Sequence, residues 1–221
     1  AAKKEGAVFR CANDHDCAAQ KIERLIYFAS RDVMDIDGLG DGIVKELFES
    51  GFLTPLPSLF LLHLHREAIM QKPNFGKSSV DKLLLAIETR RTAKTELRNF
   101  ISSLGIRHVG AGVAKLLADT YGSADDFITA MHVARRGGDE SDRLKAIDGI
   151  GAVTASSLMQ FFDTPETMRE AEELADVLNI THTGPAQDGA LKGMTVVFTG
   201  VQPTMKRAEA KARAESGRAP G

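Results

Sequence analysis

Residues 35–40 read Asp-Ile-Asp-Gly-Leu-Gly, and residues 41–47 continue as Asp-Gly-Ile-Val-Lys-Glu-Leu. The apolar residue Leu39 stands between two glycines, just before a segment with the apolar spacing of a helix. Glycine has no Cβ, so Gly38 and Gly40 can adopt positive φ and let another backbone or a phosphate approach closely. The amides that begin the following helix point outward at the positive end of its dipole, where they can bind an anion.

A turn of this kind occurs four times in the chain. Four reference glycines can be placed in register: Gly40, Gly76, Gly110 and Gly151. They are separated by 36, 34 and 41 residues, which suits one helical unit per copy. The preceding residue is always apolar: Leu39, Phe75, Val109 and Ile150. The residue four positions later is small or β-branched: Val44, Val80, Ala114 and Ala155. The residue seven positions later is always leucine: Leu47, Leu83, Leu117 and Leu158.

Each repeated position has a physical purpose in a helical hairpin. The apolar residue fills the space between the two helices, and the small residue lets the helices cross closely. The leucine extends the same buried stripe by one helical turn. Two positions before each reference glycine stand Gly38, Asn74, His108 and Gly149, all of them of types that tolerate positive φ. The pattern predicts four anion-binding hairpins, and a helical protein-interaction scaffold without a ligand remains the alternative.

Composition limits the classes of function. The chain has 221 residues, of which 43% are hydrophobic, and its formal net charge is -2. This charge argues against a uniformly basic nucleic-acid binder, so DNA binding would have to come from local geometry. No apolar run approaches the ~20 residues of a membrane span. Two cysteines provide no disulfide framework, which favours a reducing cytoplasm.

Cys11 and Cys17 enclose five residues near the start of the chain. Two thiolates at short spacing can form half of a tetrahedral zinc site. Two unrelated surface cysteines explain the spacing equally well, and His15 between them fits either a third ligand or a solvated loop. The sequence therefore contains at most half of a Cys₄ site.

Between the turns the sequence predicts further helices and one basic segment. Residues 18–29, 57–62, 66–71, 94–104 and 165–178 have helical patterns, and Ser123 is suited to cap a helix. Residues 135–141 read as an exposed loop. The cations at residues 90–98 could reach phosphates or form a solvated helix face. Residues 181–189 read as a linker, and residues 196–198 suit a buried strand before a helix at 205–216.

These motifs together resemble the C-terminal half of bacterial NAD-dependent DNA ligases. Residues 10–20 are similar to the second half of that family's Cys₄ zinc finger, and residues 28–40 are the most specific match. Four helix-hairpin-helix motifs follow in the same order. Residues 191–200, Leu-Lys-Gly-Met-Thr-Val-Val-Phe-Thr-Gly, resemble the opening of a BRCT domain.

The resemblance implies a mainly α fold in four parts. These are a second half of the zinc finger (1–20), a helix-hairpin-helix domain (21–183), a linker (184–190) and a truncated α/β BRCT start (191–221). It also implies binding to double-stranded, nicked DNA through minor-groove backbone contacts, without reading sequence. A stand-alone tandem-hairpin module of a nuclease or junction-binding protein is the nearest alternative.

The resemblance also implies which chemistry belongs elsewhere. In that family a lysine in a Lys-x-Asp-Gly motif of a separate adenylation domain reacts with NAD, with Mg²⁺ as cofactor. The nearest string here, residues 145–149, has the wrong spacing. We therefore expect no catalytic residue in this chain, which would need the adenylation and OB domains of the ligase as partners. We expect a bacterial cytoplasmic location on the nucleoid and no membrane contact.

The residues expected to contact DNA are the glycines of the turns and the cations beside them. They are Gly38, Gly40, Gly76, Lys77, Arg107, His108, Gly110, Gly112, Gly149 and Gly151. Cys11 and Cys17 are the expected metal ligands. Since the family's first cysteine pair would precede Ala1, we expect Zn²⁺ to bind this chain weakly or not at all.

Overall fold

The computed structural model describes residues 17–181 completely, and the backbone of two strands before them. These strands, β1 (Ala2–Glu5) and β2 (Val8–Cys11), pair antiparallel with Ala2 opposite Cys11. The predicted linker at 184–190, the BRCT start at 191–221 and His15 lie outside the described residues. The boundary predicted at residue 21 falls inside the first helix.

The described chain is mainly helical, as predicted. Its helices are α1 (Ala18–Ala29), α2 (Asp41–Glu49), a 3₁₀ helix (Leu56–His65), α3 (Arg66–Met70), α4 (Lys77–Thr92), α5 (Leu97–Ser103), α6 (Ala111–Tyr121), α7 (Ala124–Ala134), α8 (Asp139–Ala146), α9 (Ala152–Asp163) and α10 (Pro165–Val177). A second short sheet joins β3 (Thr95–Glu96) in parallel to β4 (Ile180–Thr181). Four helical hairpins result: hairpin 1 (α1–α2), hairpin 2 (α3–α4), hairpin 3 (α5–α6) and hairpin 4 (α8–α9).

The repeated apolar positions form the centre of the core. The residues before the reference glycines, Leu39, Phe75, Val109 and Ile150, are 4–6% exposed. The small residues four positions later are 0–1% exposed, and the leucines seven positions later are 0–5% exposed. The register predicted from the sequence is therefore confirmed as a burial pattern in all four hairpins.

Two connectors join the hairpins into pairs. The 3₁₀ helix links hairpins 1 and 2 and packs on α4, while α7 links hairpins 3 and 4 and packs on α8 and α9. We call hairpins 1 and 2 the first pair, and hairpins 3 and 4 the second pair. Ser123 caps α7 as predicted, because its Oγ accepts a hydrogen bond from the Asp126 amide at 3.0 Å.

Within each pair, the turn of one hairpin contacts the second helix of the other. In the first pair Asn74 Nδ2 donates to Glu46 Oε2 at 3.0 Å, and a Cβ at Gly38 would lie 3.9 Å from Leu83. In the second pair a Cβ at Gly149 would lie only 2.8 Å from Leu116. Hairpins 1 and 2 therefore exchange contacts in both directions.

The second pair has a further polar link between its hairpins. Tyr121 ends α6, and its hydroxyl donates to Glu140 Oε1 of α8 at 3.4 Å. Burial and, after it, the nearby Glu140 carboxylate raise the pKa of Tyr121 to about 12. This tyrosine is therefore neutral at physiological pH and able to donate the hydrogen bond.

Three local expectations differ from the structure. The apolar segment after Pro55 forms a 3₁₀ helix, Leu56–His65, longer than the expected 57–62. The helix expected from residue 94 begins at Leu97, because Thr95 and Glu96 pair with the end of the described chain. The expected loop at 135–141 is wrong in its second half: α8 begins at Asp139, and Ser141 is only 3% exposed.

Candidate nucleic-acid interface

The four turns share one backbone hydrogen-bond pattern. In each turn the amide of the apolar residue donates to the carbonyl three residues earlier, at 3.0–3.3 Å. Each reference glycine is the N-cap of the second helix, with φ between -75° and -88° and an extended ψ. The residue four positions later then donates the first intrahelical bond back to the glycine carbonyl, at 2.9–3.0 Å.

This geometry leaves three amides after each reference glycine without an acceptor in the helix. They belong to residues 41–43, 77–79, 111–113 and 152–154. No side chain caps any of these four described helix ends. The first two residues of each triplet are exposed, so the amides are open to an anion from outside.

The predicted glycines divide into two roles. Gly38 and Gly149 have positive φ, 82° and 87°, and both face the neighbouring hairpin. His108 holds the same position in hairpin 3 with φ of 64°, whereas Asn74 is absent from the residues with positive φ. Two of the four turns therefore require glycine, and hairpin 3 accommodates histidine.

The reference glycines, in contrast, are not required by the backbone conformation of the turns. Their φ values are open to any residue, and a Cβ at Gly40, Gly110 or Gly151 would meet nothing within 4 Å. At Gly76 the nearest atom would be the Ser79 Oγ, at 3.9 Å. The fold does not require glycine there, so its effect is to leave the amides accessible. Gly112 is open in the same way.

Charge separates the four turns. Lys77, Arg107 and His108 are all exposed beside the turns of hairpins 2 and 3. Exposed carboxylates stand beside the others: Asp37 and Asp41 at hairpin 1, and Asp148 at hairpin 4. Each pair thus contains one turn with cations and one with carboxylates, and phosphate is attracted mainly to the former.

The basic segment at residues 90–98 is engaged within the protein. Arg90 donates to Thr95 Oγ1 at 2.8 Å, Arg91 pairs with Glu88 at 2.6 Å, and Arg98 pairs with Glu96 at 2.6 Å. The Glu88 hydrogen bond raises the pKa of Arg91. All three arginines thus take part in hydrogen bonds or ion pairs within the protein, and the pairs of Arg91 and Arg98 are exposed.

Two exposed residues at the turns were not among the predicted contact residues. Ser78 carries one of the open amides of hairpin 2, and Val153 carries one of hairpin 4. The side chain of Val153 is 64% exposed. The register alone would have found both, because each stands two residues after a reference glycine.

The expected metal ligands lie at the edge of the described residues, whereas the string that resembles the adenylation motif lies inside them. Cys11 ends β2, and Cys17 is half-buried before α1. Between residues 17 and 181 no three His, Cys, Asp or Glu side chains converge to hold a metal ion. Lys145, in the string that resembles the adenylation motif, lies in α8 with its Nζ 3.6 Å from Asp142. Within the described part of the chain, no helix combines the length and the apolar composition needed to cross a membrane.

Comparisons with known proteins agree with this geometry. Residues 99–171 match the family model described as the helix-hairpin-helix motif, a range that covers nearly all of the second pair. A protein named DNA ligase from Gluconobacter oxydans (strain 621H) is 40% identical over 210 residues, covering 95% of this chain and 30% of the relative. DNA ligases from Rhizobium meliloti (strain 1021) and Rickettsia bellii (strain OSU 85-389) are 41% and 38% identical, each covering 96% of this chain.

The chain spans about a third of the length of these relatives, 30–31%. The chain is thus homologous, over nearly its whole length, to one segment of the bacterial DNA ligases, and the resemblance predicted from its motifs is confirmed.

Proposed function

We propose that this chain is the DNA-binding, C-terminal part of an NAD-dependent DNA ligase, and that it binds duplex DNA around a nick. The observation that carries the proposal is the set of four amide triplets, each left uncapped after a reference glycine and exposed at its first two residues. Backbone amides recognise phosphate oxygens and carry no base code, so binding would not depend on sequence.

Because the cations are unevenly distributed, the hairpins would contribute unequally to DNA affinity. Hairpins 2 and 3 would contribute most of the affinity, because Lys77, Arg107 and His108 add attraction to phosphate. Hairpin 1, with Asp41 directly after the turn, would serve mainly as the structural partner of hairpin 2.

The complete enzyme would supply the chemistry. An adenylation domain would transfer AMP from NAD to its lysine, with Mg²⁺, and then to the 5′-phosphate at the nick during replication and repair. Cys11 and Cys17 would contribute two of the four thiolates that hold Zn²⁺, and residues 191–221 would begin a BRCT domain. The chain would act in the bacterial cytoplasm, on the nucleoid, beside the adenylation and OB domains.

The experiment is fluorescence anisotropy of the 221-residue chain with a labelled nicked duplex, an intact duplex of the same sequence, a nicked duplex of unrelated sequence and a four-way junction. We expect the logarithm of affinity to fall linearly with the logarithm of salt concentration, equally for both nicked sequences. The absence of any salt-dependent affinity would support a protein-interaction scaffold and contradict the proposal. A strong preference for four-way junctions would favour the stand-alone hairpin module.

A further inference from the structure

The first and second pairs are joined through α10. This helix packs on the 3₁₀ helix of the first pair, and on α7 and α9 of the second pair. It therefore has contacts on both sides, and a side chain at its centre can influence how the pairs are placed.

Glu170 lies in α10 and is only 7% exposed. Its Oε1 accepts a hydrogen bond from the Leu56 amide at 2.6 Å, at the start of the 3₁₀ helix. Its Oε2 accepts from Arg24 Nη1 at 2.9 Å. Both carboxylate oxygens are thus occupied by partners from the first pair, one of them a backbone amide.

Arg24 extends the connection to the second pair. It lies in α1, and its Nη2 donates to the carbonyl of Leu104, directly after α5, at 3.0 Å. Its guanidinium stands 5.8 Å from the centre of the Phe161 ring in α9. One side chain of hairpin 1 therefore contacts hairpin 3, hairpin 4 and α10.

Arg24 also lies next to one of the candidate DNA-binding turns. Together with Tyr27, Gly105, His108 and Gly110, it lines an open cleft of about 470 Å³. A Cβ at Gly105 would lie 3.7 Å from the Arg24 Nε. A movement of the guanidinium would therefore change the packing at the turn of hairpin 3.

Stability alone does not account for such a pair. The cost of removing a charge from water often cancels the attraction, and apolar residues of similar volume often stabilise equally well. Charged groups with directional bonds to backbone atoms do supply something else, which is a fixed geometry. Here the bonds end on Leu56 and Leu104, one backbone group in each half of the domain.

We propose that Arg24 and Glu170 are positioning residues that hold the two pairs in one register, so that both pairs bind the same duplex together. The inference rests on the proposed DNA-binding function. When two sites are rigidly linked, binding at the second becomes intramolecular, and total affinity rises without new contacts. Loss of the register should therefore weaken joint binding and leave each pair's own binding intact.

The test compares a long duplex of about three helical turns with a short duplex of about one turn, ~10 base pairs, by anisotropy with the full chain. The variants are Glu170→Gln, which removes the charge, and Arg24→Lys, which keeps the charge but shortens the reach to Leu104 and Phe161. The matched controls are Glu88→Gln and Arg91→Lys, because these residues form an exposed pair 2.6 Å apart. Glu88→Gln corrects for the change in net charge, and Arg91→Lys corrects for the exchange of a guanidinium for an ammonium group.

We expect the ratio of long-duplex to short-duplex affinity to fall about tenfold in Glu170→Gln and Arg24→Lys, with the short-duplex affinity unchanged. The same ratio in variants and controls would overturn the inference, even if thermal stability falls. A wild-type chain that binds the long duplex no better than the short one would also overturn it. A wild-type chain that binds neither duplex would instead contradict the proposed function. If Glu170→Gln does not fold, Arg24→Lys decides the outcome, because it leaves Glu170 with a cationic partner.

Discussion

Hairpins 1 and 3 have nearly the same backbone and nearly opposite surfaces. Leu39 and Val109 are 5% and 6% exposed, and Leu47 and Leu117 are both completely buried. The amides of Leu39 and Val109 close the same turn, at 3.3 and 3.0 Å. The buried residues therefore specify the hairpin, whatever stands on its surface.

The exposed residues differ in the feature that matters for a phosphate. Asp37 and Asp41 flank the turn of hairpin 1, while Arg107 and His108 precede Gly110 in hairpin 3. Both turns present open amides, but only hairpin 3 surrounds them with cations. Under the proposed function, a helix-hairpin-helix fold is therefore not itself a measure of DNA binding, because the fold depends on the buried residues and the affinity on the exposed ones.

The largest expected effect is a loss of stability when the buried leucine that hairpins 1 and 3 share is truncated. We expect Leu47→Ala and Leu117→Ala each to lower the free energy of unfolding by about 2–5 kcal/mol, since both leave a cavity in the core. Urea denaturation followed by circular dichroism measures this. Similar losses in the two variants would confirm that the hairpins are equivalent as structure, and a loss in only one would break the comparison.

The next largest expected effect is a loss of DNA affinity that distinguishes hairpin 3 from hairpin 1. Gly110→Val places a side chain over the amides of hairpin 3, where nothing in the protein obstructs it. We expect about a tenfold loss of affinity for nicked duplex, which corresponds to about 1.5 kcal/mol of charge-assisted hydrogen bonding. Gly40→Val is the matched control, because its Cβ also meets open space. Equal losses in the two variants, measured by anisotropy, would contradict the division of roles.

A smaller effect should follow from charge at one register position. Asp41 and Lys77 each follow a reference glycine, in hairpins 1 and 2. We expect Lys77→Ala to make the salt dependence of binding shallower by about one unit of slope, and Asp41→Lys to make it steeper. Binding isotherms at several salt concentrations give these slopes. If Asp41→Lys leaves the slope unchanged, hairpin 1 does not approach the DNA.

The sequence predicted the hairpins well because their code is local and repeated. The apolar residue, the small residue and the leucine recur at fixed distances from each reference glycine, and all of them are buried. The helix α8 escaped prediction because its first residues, Asp-Glu-Ser-Asp-Arg, are polar and only Ser141 and Leu144 are buried. This segment has no apolar periodicity from which a helix could be predicted.

Contacts between the pairs could not be predicted for a different reason. Arg24 and Glu170 are 146 residues apart, and each resembles an ordinary surface charge in its own helix. Their meeting depends on how hairpins pack, which no spacing in the chain encodes. The open amides were predictable as positions, whereas the 3₁₀ geometry of the apolar segment Leu56–His65 was not.

The most direct test of the central claim observes the amides themselves. In ¹⁵N-correlated NMR spectra of the chain titrated with nicked duplex, we expect the amides of residues 77–79 and 111–113 to shift most. The amides of residues 41–43 should shift least, although their backbone is the same. Equal shifts in all four hairpins, or shifts confined to hairpin 1, would contradict the account.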